Sequence, residues 1–210
     1  MDKNLLEDIN IKLKKKGATE SDVVFFESET TSASSRLGKI EKTEKSKTKE
    51  IGLRVIINKR QSIISSSNLE RKNIDLLISK VVDMAKIVPK DEYCGLAKNS
   101  QIISVDKEEE LNLKQFDKFF PTTENLQSHV LSLENGALDN NKISNSEGAE
   151  IACTRNKYLL VASNGLVQEF EKSHSDYIIA VLAENSRSME REYDYKSKVF
   201  FQDLGDFSKI

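Results

Sequence analysis

Two histidines, two cysteines and a surplus of carboxylates are the residues with which this 210-residue chain could do chemistry. A hydrolytic metal centre needs His, Cys and carboxylate ligands brought together, most recognisably as two histidines one helical turn apart. His129 lies beside Leu126 and Val130 on an apolar helical stripe, whereas His174 falls in the polar run 171–176 between two expected strands. No His-Glu pair stands at ligand spacing. Cys94 and Cys153 are far apart, without a Cys-x-x-Cys spacing, and read as small hydrophobes of a reducing compartment. Ser is abundant, yet no Gly-x-Ser-x-Gly elbow occurs, and the 8 Gly are scattered singly rather than gathered into a phosphate-cradling loop. Glu147 beside Gly148 is the acid singled out by its neighbour, and it reads foremost as a turn residue before a strand. No catalytic, cofactor-binding or metal-ligating residue is expected in this chain.

Charge and hydropathy exclude further classes. Lys+Arg is 32 against 34 Asp+Glu, so a formal net charge of -2 exerts no long-range pull on nucleic acid or an anionic membrane. Neither partner is expected. With 38% hydrophobic and 31% charged residues and only 2 Pro, the composition is that of a folded chain. The longest apolar stretch, from Tyr177 to Ala183, is seven residues, against roughly 20 for a membrane-spanning helix. The start, Met1-Asp2-Lys3-Asn4-Leu5-Leu6-Glu7-Asp8, carries acids where a secretory signal has a basic region, so a cytoplasmic location is expected.

The elements that would position these residues follow from periodicity. Leu5, Leu6, Ile9 and Leu13 mark a helix near 3–16, with Asp2 as N-cap, Gly17 as terminator and Lys14, Lys15 and Lys16 complementing the dipole. From 22 to 67, β-branched and aromatic residues predict antiparallel strands with turns at Arg36-Leu37-Gly38-Lys39 and Asn58-Lys59-Arg60. Residues 39–50 alternate charges of both signs, which suits a solvated hairpin or a charge-protected sheet edge. Ser67 and Glu70 have capping-box spacing, with Asn68 as the other candidate cap, ahead of a helix near 70–88 whose stripe is Ile74, Leu77, Ile78, Val81, Ala85 and Val88; Pro89 stops it.

Residues 89–120, with the acidic run Glu108-Glu109-Glu110, read as a linker. Pro121 opens a second unit, with Thr122 or Thr123 capping a helix near 122–138. Strands then follow over 149–154, 157–163, 165–170, 177–183 and 190–201. Turns are expected at Asn156-Lys157, Asn164-Gly165 and Glu184-Asn185-Ser186. The expectation is an α+β chain of two consecutive layered units with antiparallel sheets: 1–88, a linker at 89–120, and a strand-rich unit at 121–210. One helix is thin cover for so many strands, so the second unit is expected to be incomplete.

Several short runs together resemble the TldD/PmbA family: Arg36-Leu37-Gly38-Lys39-Ile40-Glu41, Ile51-Gly52-Leu53-Arg54-Val55, Tyr93-Cys94-Gly95-Leu96-Ala97, Asn145-Ser146-Glu147-Gly148-Ala149, Ser163-Asn164-Gly165 and Met189-Glu190-Arg191-Glu192-Tyr193-Asp194-Tyr195. Their order spans nearly all of residues 20–205, and the last two resemble the PmbA (TldE) branch. The resemblance implies a cytosolic heterodimeric zinc metalloprotease acting on extended peptides. It further implies that the TldD-type partner carries the zinc on a His-Glu-x-x-x-His helix, while the PmbA-type subunit lacks the ligands and is not catalytic. This chain departs from the full-length pattern by stopping before a C-terminal domain, and has Ser62 where a glycine is usual after the second hairpin turn, which implies a relaxed turn there. The alternatives are a stand-alone module that binds extended peptides or proteins along an exposed strand edge, and a degraded gene product without activity.

Overall fold

The computed structural model describes residues 2–102, 113–184 and 187–209. Its elements run α1 (Lys3–Lys15), β1 (Glu20–Arg36), β2 (Lys39–Ile57), β3 (Arg60–Ser66), α2 (Arg71–Ile87), α3 (Thr123–Leu138), β4 (Asn145–Ala162), β5 (Val167–Glu184) and β6 (Met189–Lys198), with 3-10 turns at Asn99–Gln101, Phe201–Leu204 and Phe207–Lys209. The fold is α+β. The six strands form one sheet in the order β3-β2-β1-β4-β5-β6, so the strands after α3 extend the first sheet instead of starting a second. The compact units are interleaved along the chain and do not follow one another at residues 88 and 121. One comprises Met1–Glu27, Thr48–Leu113 and Lys157–Phe170; the other comprises Ser28–Lys47, Lys114–Asn156 and Glu171–Ile210. Long strands are the reason: β1, β2, β4 and β5 each contribute a stretch to both units. The acidic run at 108–110 and the turn residues 185–186 lie outside the described residues.

In the first unit, the sequence signals and the backbone agree closely. The Asp2 side chain accepts from the Asn4 N–H to cap α1, and Gly17 takes a φ of 103° after it. Leu6, Ile9 and Leu13 are fully buried with Ile74, Ile78, Val81 and Ala85 of α2 over Val23, Phe25, Ile51, Leu53 and Val55. Each of the Val, Leu, Ile and Phe side chains contributes about 1.5–3 kcal/mol by leaving water. Asn58 and Lys59 both have positive φ, 49° and 65°, as a tight hairpin turn requires. α2 starts at Arg71 and its cap, Glu70, makes no side-chain bond; the Asn68 carboxamide oxygen instead accepts from the Glu70 N–H at 3.0 Å, so neither expected capping arrangement forms. Ser62 lies within β3, not in the turn. It is buried, and its hydroxyl donates to the Val81 carbonyl at 2.6 Å, stitching strand to helix.

In the second unit, α3 is capped by Thr122 in a reciprocal box with Asn125. Its Leu126, Val130 and Leu133 pack with Ala33, Ala149, Ile151, Cys153, Tyr177, Ile179, Phe201, Leu204 and Phe207. The two C-terminal 3-10 turns thus add cover that one helix alone lacks. Gly136 permits this approach: a Cβ there would stand 3.0 Å from the Ser208 carbonyl oxygen. β4 and β5 run unbroken through Asn156-Lys157 and 171–176, where the sequence predicts breaks. Polar residues persist in β5 because Ser173 finds partners: its hydroxyl donates to Val199 O, its oxygen accepts from Asp117 N, and its N–H donates to Gln115 O.

One carboxylate ties helix to hairpin. Glu134 on α3 is fully buried, and its oxygens accept from Leu37 N at 2.8 Å and Gly38 N at 3.1 Å in the β1–β2 turn. That turn needs positive φ at both residues, 51° at Leu37 and 71° at Gly38, which points both N–H groups the same way. Glu134→Ala leaves two amides unpartnered, and a loss of about 2–4 kcal/mol in unfolding free energy is expected, measurable by urea denaturation. Glu134→Gln, retaining one acceptor, should lose less.

Candidate functional site

The residues singled out for chemistry are held apart. His129 sits half-buried on α3 against the rings of Phe201 and Phe207, at 5.3 and 5.0 Å between centroids, and burial lowers its pKa below the usual histidine value. His174 is within β5, not in a turn, with Nε2 3.7 Å from Asp176 Oδ1. Burial in turn pushes the Asp176 carboxyl up, partly offset by His174. Cys153 is buried beneath α3, its thiol raised to about 11 by desolvation despite a hydrogen bond with Ser175. Cys94 is buried in the other unit, where its carbonyl accepts from Lys59 Nζ. Glu147 forms an exposed ion pair with Arg191 at 2.6 Å. Lys14 and Lys15 stand in the last turn of α1, as dipole chemistry requires.

Zinc requires about three protein ligands converging on one point. Among the described residues no group of three or more His, Cys, Asp or Glu side chains does so. His129, packed between aromatic rings, and His174, facing a single carboxylate, do not fit such a site.

What the second unit offers is an edge strand beside a small cleft. β6 ends the strand order, so one side of its backbone meets no strand among the described residues. Its register with β5, Tyr177↔Lys196, Ile179↔Asp194 and Val181↔Glu192, puts the even-numbered residues of β6 on the face of buried Tyr177 and Ile179. Met189, Arg191, Tyr193 and Tyr195 take the opposite face, where Tyr193 and Tyr195 stack at 6.3 Å and Arg191 lies over Tyr193. On the α3 side, a cleft of about 210 Å³ opens between Gly136, Ala137, Ile179 and Val181, with Glu192 and Asp194 at its wall. Tyr177 donates its hydroxyl to Asp194 at 2.7 Å; its phenol is pushed up to about 12 by burial and by that carboxylate.

A second constellation escaped sequence reasoning. Arg155 of β4 donates to the carbonyls of Asp117 and Lys118 at 3.3 and 2.5 Å, and its guanidinium lies 4.5 Å from the Phe120 ring centre and 5.4 Å from that of Phe116. The Asp117 carboxylate accepts from Phe119 N and Phe201 N at 2.8–2.9 Å. This network anchors the segment entering α3 and the segment leaving β6. Its signal in the sequence is only a charged residue amid aromatics, and the partners are far apart along the chain.

Fold and surface together define an antiparallel sheet module with helices on its cores and an open edge strand. Residues 21–85 match the model of PmbA/TldA metallopeptidase domain 1. The fold is shared with a protein from Bacteroides thetaiotaomicron named as a putative modulator of DNA gyrase, at a TM-score of 0.84 and 20% identity over 96% of this chain and 46% of that one. A protein of the same description from Thermotoga maritima gives 0.74 and 12% over 98% and 46%. TldE from Thermococcus kodakarensis gives 0.70 and 14% over 92% and 42%. No curated protein sequence matches the chain. The family match thus covers residues 21–85, and the chain spans less than half the length of these solved structures, whose fold it shares.

The two thiols supply a test of the burial described here. Ellman's reagent at pH 8 should modify Cys94 and Cys153 in the native chain at least about tenfold more slowly than in denaturant, because the reagent needs an exposed thiolate. Lowering pH should also reveal His129. Its depressed folded-state pKa means that the unfolded chain binds the proton more tightly, so stability falls as pH drops through about 6.5, and His129→Phe should flatten that slope.

Proposed function

We propose that this chain is a PmbA/TldE-type, non-catalytic part of a cytoplasmic TldD/TldE-type zinc metalloprotease that cleaves extended peptides, the zinc being held by a TldD-like partner. The observation that carries this reading is the likeness of the fold to TldE from Thermococcus kodakarensis over 92% of this chain, joined to the family match over residues 21–85. The Ser163-Asn164-Gly165 and Met189-to-Tyr195 runs, which resemble the same branch, support it independently. In this role the chain's own residues bind and orient; none transfers a proton or ligates the metal. A second reading, a module that binds extended partners on a strand edge, is favoured by the open side of β6.

Co-purification with a TldD-like partner, followed by elemental analysis and peptide-cleavage assay, tests the first reading. The lone chain should retain no zinc after dialysis and cut nothing, while the pair should hold about one zinc and cleave. Stoichiometric zinc in the lone chain, with cleavage abolished by His129→Ala or His174→Ala, would overturn it.

A further inference from the structure

The helix-side face of β6 carries, in order, Glu190, Glu192, Asp194, Lys196 and Lys198: acids first, bases last. Such a strand is charge-complementary to itself when reversed. We infer that the open edge of β6 pairs with β6 of a second copy of this chain, antiparallel, about a two-fold axis at Tyr195. In that register Glu192 faces Lys198 of the other copy, twice by symmetry, and Asp194 stands opposite Lys196 while each keeps its bond within its own copy, Asp194 to the Tyr177 hydroxyl and Lys196 to the Leu204 carbonyl. On the other face Tyr195 meets its own counterpart. Opposite charges and aromatic pairs directly across a strand pair both favour association.

The pattern also selects the register. Moving the axis one residue toward the start of β6 opposes Asp194 to Asp194; moving it one residue the other way opposes Lys196 to Lys196. The first shift keeps Glu190 opposite Lys198 and Glu192 opposite Lys196 but adds the Asp194 repulsion at the axis, and the second keeps only Asp194 opposite Lys198, so of the three registers only the axis at Tyr195 has no like-charge contact on this face. Backbone groups point the same way. The Tyr193 N–H donates not to a strand but to the carboxylate of Glu192 at 3.0 Å, which places that amide on the free side of β6. With the axis at Tyr195, Tyr193 opposes Ser197 and can exchange its carboxylate acceptor for a backbone carbonyl, releasing Glu192 to meet Lys198. Charge along an edge commonly prevents pairing; here its order along the strand selects one register over its neighbours.

An interface built on one short strand pair is small, so the association is weak and depends on concentration and salt. This inference stands apart from the protease reading: its readout is mass, and neither zinc nor cleavage enters. Analytical ultracentrifugation of the full chain over a roughly thousandfold concentration range should show a monomer–dimer equilibrium. Glu192→Lys and Lys198→Glu should each weaken it at least about tenfold, because both symmetric pairs become repulsive. An equimolar mixture of the two variants should regain dimer, since both cross-strand pairs between positions 192 and 198 then join opposite charges. Both positions are exposed on the strand, and circular dichroism would verify that each variant is folded. Monomer at every concentration would overturn the inference, as would a dimer equally strong in both variants, which would rest on another surface. Binding of an unrelated extended peptide to β6 without self-association would likewise overturn it.

Discussion

The buried carboxylate of Glu134 organises the second unit. A fully buried charge is tolerated only where its lone pairs are used, and here the two N–H groups of the Leu37-Gly38 turn use them. Those amides converge only because both residues adopt positive φ, and that turn is favoured only because β1 and β2 are twisted antiparallel partners. The helix, the turn and the strands therefore specify one another. α3 cannot be displaced without stranding a charge, and the hairpin cannot open without orphaning two amides. Ser35 adds a further bond, its hydroxyl donating to Val130 O one turn earlier on α3.

Around that constraint the aromatic and apolar packing is less directional. Phe201, Leu204 and Phe207 are delivered to α3 by the chain after β6, and Asp117 receives the Phe201 N–H. Lys196 secures the same segment from the strand side, donating to the Leu204 carbonyl at 2.8 Å. β6 is thus held by its register with β5 and by the tail that follows it, while its outer side meets no strand among the described residues. The first unit uses a different device, hydrogen bonds from small polar residues: Asn10 donates to Leu6 O and Val161 O and accepts from the Ser21 hydroxyl, all within the packed layer.

The two ends of the sheet differ in how their charge is arranged. β3 reaches only as far as Ile51↔Ser66, so the 39–50 stretch of β2 has β1 on one side and no strand on the other among the described residues. Its alternating Lys and Glu are mostly exposed, and Lys45 and Lys49 pair with Glu29 and Glu27 of β1. This edge is blunted by charge throughout. β6 carries charge too, but sorted by sign, and it adds a face of stacked tyrosines with Arg191 and Met189, residue types that dominate binding surfaces.

Much of the architecture was legible in the residues themselves. The three helices end within a residue of the ranges 3–16, 70–88 and 122–138 expected from their periodic stripes, because amphipathic spacing is a local property. The positive-φ hairpin turns at Leu37-Gly38 and Asn58-Lys59 are local for the same reason. Non-local pairing was not legible. Whether β4 continues the first sheet or begins another depends on hydrogen bonds such as Ser163 N to Ser21 O, between residues far apart in sequence. The apparent breaks at 156–157 and 171–176 vanished because tertiary partners satisfied the polar groups that, read locally, signal a turn. Glu134, one acid among 34 Asp and Glu, became distinctive only once the hairpin amides reached it. Sequence determined the elements and the chemistry the chain could carry; the tertiary structure decided which strands lie at the sheet's ends among the described residues, since an edge is defined by pairing between residues far apart in sequence.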